Sequence, residues 1–171
     1  AFEWRSSQSS DSRDWVAGIY LRQDEEQLTR NYTYLSAPFY SRNKVETRAI
    51  FGQLRQSLAR SIDVFTGARI EQRGLDYSDS INVRESLDKK YWTGHLGIRW
   101  QANVNNQLRA SISRGLRAGG VNANLSSSLS ALKAEIDTTR YQTAKFFDAE
   151  SLINFELGWR FRNTAETLTS S

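Results

Sequence analysis

Three short motifs carry the most distinctive chemistry in this sequence. Gly67-Ala68-Arg69, Gly97-Ile98-Arg99 and Gly158-Trp159-Arg160 each set a glycine and an arginine two residues apart, and Gly18-Ile19-Tyr20 is a weaker copy. On a strand, residues two apart share a face. A guanidinium there pairs with carboxylates or phosphates. The glycine lets the wall bend or lets another group approach closely. Arg69, Arg99 and Arg160, with Glu156, are thus candidates for one polar face that pairs charges. A second candidate is the segment holding Arg30, Tyr32, Tyr34, Phe39, Tyr40 and Arg42. Its mixture of cationic and aromatic groups suits an anionic or aromatic ligand, although ordinary loop packing would account for any one of them.

Covalent chemistry finds little support. The 171 residues include no Cys and 1 His, so a cysteine nucleophile and a Cys-based zinc site are excluded, and any His-based site would hang on His95 alone. No nucleophile, base and orienter stand together, so no enzyme, catalytic residue, metal site or cofactor is expected. An acidic cluster at a barrel rim is the one protease chemistry left open. Gly115 to Gly120 is glycine-rich but lacks the Lys-Ser/Thr of a phosphate loop. Lys plus Arg is 23 against 19 Asp plus Glu, for a net charge of +4. These cations are spread among acids without a basic stripe, so no nucleic acid is expected as partner. No run of about 18 apolar residues is present to form a transmembrane helix.

The elements that must position these residues are strands. From Trp92 to Ala102 the even positions are apolar or small, and the odd positions Thr93, His95, Arg99 and Gln101 are polar. That alternation has the period of a half-exposed strand. It recurs around 15–22, 62–71, 108–113 and 153–162, and is less clean over 45–58, where Phe51 breaks it. Short polar links fall at 8–13, 59–61, 104–107 and 163–165. Long ones fall at 24–44, 76–90 and 118–149. Within the last, Leu129, Leu132 and Ile136 have the spacing of a short amphipathic helix.

Short turns alternating with long connections, joining strands of about 9–11 residues, fit an outer-membrane barrel. Trp15, Trp92, Trp100, Trp159 and Phe161 near the strand ends suit interfacial girdles. Alternation alone does not separate a membrane barrel from a soluble β-rich binding domain, because the two differ only in which face meets the apolar phase. A soluble domain would bury Trp100 and Trp159 in a core. A small outer-membrane barrel, acting as adhesin or pore, is the other alternative.

Two later segments add a family resemblance. Ser113 to Asn122 reads SRGLRAGGVN, and Phe147 to Arg160 reads FDAESLINFELGWR. They are preceded by Trp15 to Tyr20, Ala49 to Gln53 and Thr66 to Arg69. In order and spacing they resemble the barrel of TonB-dependent outer-membrane receptors. There a Ser-Arg-Gly-aromatic-(Lys/Arg)-Ala-Gly-Gly-Phe-Asn segment ends one strand. A Glu-x-Leu-x-Asn-(Tyr/Phe)-Glu-x-Gly segment opens the next, matched here by Glu150, Leu152, Asn154, Phe155, Glu156 and Gly158. Leu116 and Val121 depart from the pattern, where an aromatic and a Phe are usual.

The resemblance implies an all-β, antiparallel, up-and-down transmembrane barrel, with residues 1–171 a fragment of about seven to eight strands of a 22-stranded one. No plug domain is expected within it. The chain has no initiator Met, signal peptide or terminal aromatic strand, and a fragment is expected on that ground too. The implied function is energy-coupled uptake of a scarce ligand, such as a ferric siderophore, across the outer membrane of a Gram-negative bacterium. The implied partners are outer-membrane lipid, the receptor's own plug domain, TonB and a small-molecule ligand such as an iron chelate. Arg30, Tyr32, Tyr34, Tyr40 and Arg42 would then lie on external loops that meet ligand. Arg69, Arg99, Arg160 and Glu156 would line the lumen. In such a protein the glycosylation patterns at Asn31 and Asn124 are idle.

Overall fold

The computed structural model describes residues 1–31, 33, 36–80, 83–121 and 146–162. Among these residues nine strands form: β1 (Phe2–Ser9), β2 (Arg13–Arg30), β3 (Phe39–Ala59), β4 (Ile62–Asp79), β5 (Arg84–Gln101), β6 (Asn106–Arg117), β7 (Gly120–Val121), β8 (Phe146–Phe147) and β9 (Glu150–Phe161). Seven of them make one antiparallel meander in the order β1-β2-β3-β4-β5-β6-β9, open at both edges. The strands β7 and β8 pair separately as a short hairpin. The expected all-β, up-and-down architecture is therefore present, as an unclosed wall.

The turns at one end are tight, and their chemistry is local. In the 10–12 turn the Ser10 amide and hydroxyl both donate to the Arg13 carbonyl, at 2.8 and 2.9 Å. At 102–105 the Asn103 Oδ1 accepts from the amides of Asn105 and Asn106, each at 3.0 Å. This is the self-capping that suits Asn to turns. A register shift between Ser57 and Ala59 precedes the turn at 60–61.

Register decides which residues share a face. Trp4, Ile19, Ile50, Ile70 and Trp92 stand in one cross-strand row, and Leu96, Ile112 and Phe155 lie in another. Trp100, Leu108 and Trp159 form a third. Together they make a continuous apolar outer face. Among the described residues nothing covers it: Leu96 is 53% exposed, Trp100 46% and Trp159 69%. An apolar sheet of this size facing outward needs an apolar solvent. The soluble alternative, with Trp100 and Trp159 in a core, fails on this observation.

The long links at 24–44 and 76–90 differ from the sequence-based expectation. The β2–β3 register runs unbroken from Arg13↔Gln56 to Arg30↔Phe39, and β4–β5 pairing continues to Ser78↔Arg84. The strands are 18, 21, 18 and 18 residues long from β2 to β5, far beyond the span needed for a bilayer. Polar side chains hide these extensions in the sequence. Backbone pairing does not require apolar side chains, only partners in register.

The buried core lies in those extensions, on the face opposite the apolar band. Val45, Leu75 and Tyr77 form it, with Val83, Leu87 and Val121 packed around them. Phe39 is 2% exposed and Tyr77 4%. Because Val121 belongs to β7, the β7–β8 hairpin rests on the inner face of the extended strands. The expected helix around Leu129 to Ile136 lies outside the described residues.

Candidate functional site

The inner face of the membrane-spanning zone is the chemically varied surface. Arg69, Arg99, Glu156 and Arg160 all fall on it, since each sits at odd register to the apolar rows of its strand. One cavity of about 510 Å³ is lined by Glu3, Arg5, Tyr20, Phe51, Arg69 and His95 among others. A second, of about 520 Å³, is lined by Arg55, Asp63, Phe65, Arg99, Arg109 and Arg160, with Gly158.

Most of the arginines are held by groups of the same wall. The Arg69 Nε donates to Glu71 Oε2 at 2.9 Å, and its guanidinium carbon stands 5.0 Å from the centre of the Tyr20 ring. The Arg99 Nε donates to Asp63 Oδ2 at 3.0 Å, and a second nitrogen of the same fork also contacts that oxygen. Asp63 accepts another hydrogen bond from the Ser57 hydroxyl at 2.6 Å. The Arg55 Nε donates to Asp14 at 2.6 Å. The guanidinium of Arg109 lies 4.9 Å from the centre of the Phe65 ring. Such half-exposed pairs fix side-chain geometry more than they stabilise the fold. Glu156 accepts from the Asn154 amide at 2.9 Å, and Arg99 takes Asp63 as its carboxylate. Asp14, Asp63 and Arg55 escaped the sequence reading. Their pairing needs the register across strands, which no local spacing reveals.

Two glycines of the Gly-x-Arg motifs have a clear steric role. A Cβ on Gly97 would stand 2.1 Å from the Phe65 ring, its direct cross-strand neighbour. A Cβ on Gly67 would stand 2.6 Å from His95 Cε1, again directly opposite. The glycines leave room for these rings against the wall, where they line the same cavities as the arginines. His95 is thus a wall-lining ring. Among the described residues no group of three or more His, Cys, Asp or Glu gathers to hold a metal.

The candidate ligand residues divide between faces. Arg30 lies on the inner face, opposite Phe39 at the end of the β2–β3 ladder. Tyr40 and Arg42 lie on the outer face of β3, level with Thr29 and Gln27. Arg42 donates to Glu25 at 2.7 Å. That bond holds the Glu25 carboxyl below the usual carboxylate range. Tyr32 and Tyr34 lie outside the described residues.

An uncovered apolar band on one face and a charged, cavity-bearing wall on the other is the arrangement of a water-filled or plugged membrane barrel. The family model for the β-barrel of TonB-dependent receptor-like proteins matches residues 2–171. The chain belongs to the TonB-dependent receptor β-barrel family. Barrels of this family sit in the outer membrane. No curated protein matches the sequence. Among solved structures, the wall is similar to the ferric yersiniabactin uptake receptor FyuA of Yersinia pestis, at 20% identity and a TM-score of 0.67. That match covers 95% of this chain and 26% of FyuA, so the chain spans about a quarter of that receptor. A second similarity is to Ail, the attachment invasion locus protein of Yersinia pestis, at 8% identity and a TM-score of 0.36. It covers 93% of this chain and 79% of Ail, at a likeness too low to bear on the fold.

Proposed function

We propose that these residues form part of the wall of an energy-coupled importer in the outer membrane of a Gram-negative bacterium. The intact receptor takes up a scarce small molecule, of which an iron chelate is the leading class. A plug domain closes the lumen and TonB supplies the work. The wall itself performs no covalent chemistry. It contributes lipid contact outside, charged anchorage inside and strand extensions beyond the bilayer.

The observation that carries this reading is the family match along nearly the whole chain, joined to the inside–outside split of its strands. The iron-chelate class is supported by the likeness to FyuA, an uptake receptor for ferric yersiniabactin. The arginine-rich inner wall is compatible with anionic chelates passing by, or with a plug surface of opposite charge.

The test is uptake by cells carrying or lacking the full-length receptor gene, with radioiron loaded on a panel of phenolate, catecholate and hydroxamate chelators. Accumulation of one chelate should vanish on gene deletion and also in cells without TonB. Uptake that survives the loss of TonB would contradict an energy-coupled importer. A flat response to every iron chelate would remove the ligand class and leave the membrane barrel intact.

A further inference from the structure

One lipid-facing position breaks the chemistry of the outer band. Arg114 of β6 pairs with Gly94 of β5 and Ile153 of β9, so it shares the face of Ile112. A charge on the lipid side of a barrel is tolerated only where it reaches the interface. The Arg114 side chain does so by turning toward Trp92, the last apolar outer residue of β5. One guanidinium nitrogen donates to the Trp92 carbonyl. The guanidinium carbon stands 4.2 Å from the centre of the indole ring. Tryptophan is the residue that favours the headgroup level of a bilayer.

The next outer row above Trp92 stays apolar at Phe2 and Leu21 on β1 and β2, and its β3–β5 part is cationic at both ends. Arg48, Gln72 and Lys90 stand side by side across three strands. Neighbouring strands lie about 4.8 Å apart, which brackets a patch about 10 Å wide. The nearby acids are already engaged. Glu46 takes Lys44 at 2.7 Å and reaches Arg48 only at 3.6 Å. Asp88 accepts from the Gln72 amide at 2.8 and 3.1 Å. Asp76 stands level with Lys44, further from the band. Among the described residues neither Lys90 nor Arg114 forms an ion pair within 4.0 Å.

We infer that Arg114, Lys90 and Arg48 hold the phosphate of a membrane lipid headgroup against Trp92. Phosphate matches the planar donor fork of arginine and the point charge of lysine. The depth selects a lipid over a dissolved anion, because the site begins at Trp92, the last apolar outer residue of β5, at the level where acyl chains meet headgroups. This inference rests on the membrane placement of the outer face and is independent of what the receptor imports.

The experiment uses the full-length receptor, purified in a mild detergent and titrated with short-chain phosphatidic acid while native mass spectrometry counts bound lipid. Inorganic phosphate and diacylglycerol are titrated in parallel. Wild type should bind phosphatidic acid, and the R114Q/K90Q variant should bind it at least tenfold more weakly. R114K should recover most of the loss. Folding of each variant is read from the compact mobility of the unheated barrel on a gel. If the double variant does not fold, Arg48→Gln, at an exposed position above the band, should weaken binding on its own.

Equal binding by a folded R114Q/K90Q variant, or by Arg48→Gln where that variant stands in, would overturn the inference. So would diacylglycerol binding as well as phosphatidic acid, since the phosphate would then be idle. Inorganic phosphate competing fully at equal concentration would assign the site to a dissolved anion. Chelate uptake is measured in cells carrying the same variants, so a failed transport reading leaves the lipid result standing.

Discussion

The lower and upper halves of β3, β4 and β5 share strands, register and hydrogen bonding, yet their polarity is reversed. At and below the level of Trp92 the outer face holds Ile50, Ile70, Leu96 and Trp100, and the inner face holds Arg69 and Arg99. Above it the outer face holds Arg42, Lys44, Arg48 and Asp88, while Val45, Leu75 and Tyr77 are buried inside. The backbone is indifferent to the change. What differs is the medium on the outside: lipid below and water above. The fold is thus one ladder read by two solvents, with Arg114 and Trp92 at the seam.

The largest effects should come from reversing the assignment of either half. Leu75→Ala in the upper core should cost about 2–5 kcal/mol as a buried large-to-small change. It should also loosen the β7–β8 hairpin, read as faster hydrogen exchange at Gly120 and Val121. Leu96→Arg, on the outer face below, should cost about 2–4 kcal/mol if that face meets the bilayer interior. The control is Ser86→Arg, on the same face of the same strand but above the band, which should change stability by no more than about 0.5 kcal/mol. Equal costs at Leu96 and Ser86 would erase the distinction between the halves. Both are measured as folded fraction of the full-length receptor across a urea series.

A smaller effect tests the inner wall alone. Gly97→Ala should displace the Phe65 ring and cost about 1–3 kcal/mol, as overpacking does. Adding Phe65→Ala should remove most of that penalty. Additive losses would mean that the ring is not what Gly97 accommodates.

The smallest effect is a pH dependence confined to the upper half. Glu25 is held below its ordinary range chiefly by the Arg42 hydrogen bond, then by one from Gln27. A depressed carboxylate contributes stability that is complete above the ordinary range, and that is lost as the pH falls through the depressed value. Hydrogen-exchange protection at the tops of β2 and β3, corrected for the intrinsic pH dependence of amide exchange, should therefore fall in acid and be flat around neutrality. Protection that falls at alkaline pH instead would have the wrong sign.

How much of this was legible in the sequence follows from the same contrast. The lower half announced itself, because Trp92 to Trp100 alternates apolar against polar and its aromatic ends mark the interfaces. The upper half read as loops, because Asp24 to Arg30 and Asp76 to Asp79 are polar and a pattern search needs an apolar face. Only the cross-strand partners restore them as strands. The same limit explains the wall. Arg69 and Glu71 sit two apart and their pairing was accessible from spacing, whereas Arg99 and Asp63 are joined only through the β4–β5 register. Arg114 looked like part of a family motif, and its lipid-facing direction appeared only once Gly94 and Ile153 were found beside it.

The most direct test of the two-solvent ladder is a cysteine scan of β5 in the full-length receptor, starting from a sequence that holds no cysteine in these 171 residues. Spin labels at Leu96 and Ile98 should relax with oxygen, which concentrates in lipid, and labels at Ser86 and Asp88 with a water-soluble nickel chelate. A uniform response to one agent along the whole outer face would contradict the account, because that face would then meet a single solvent.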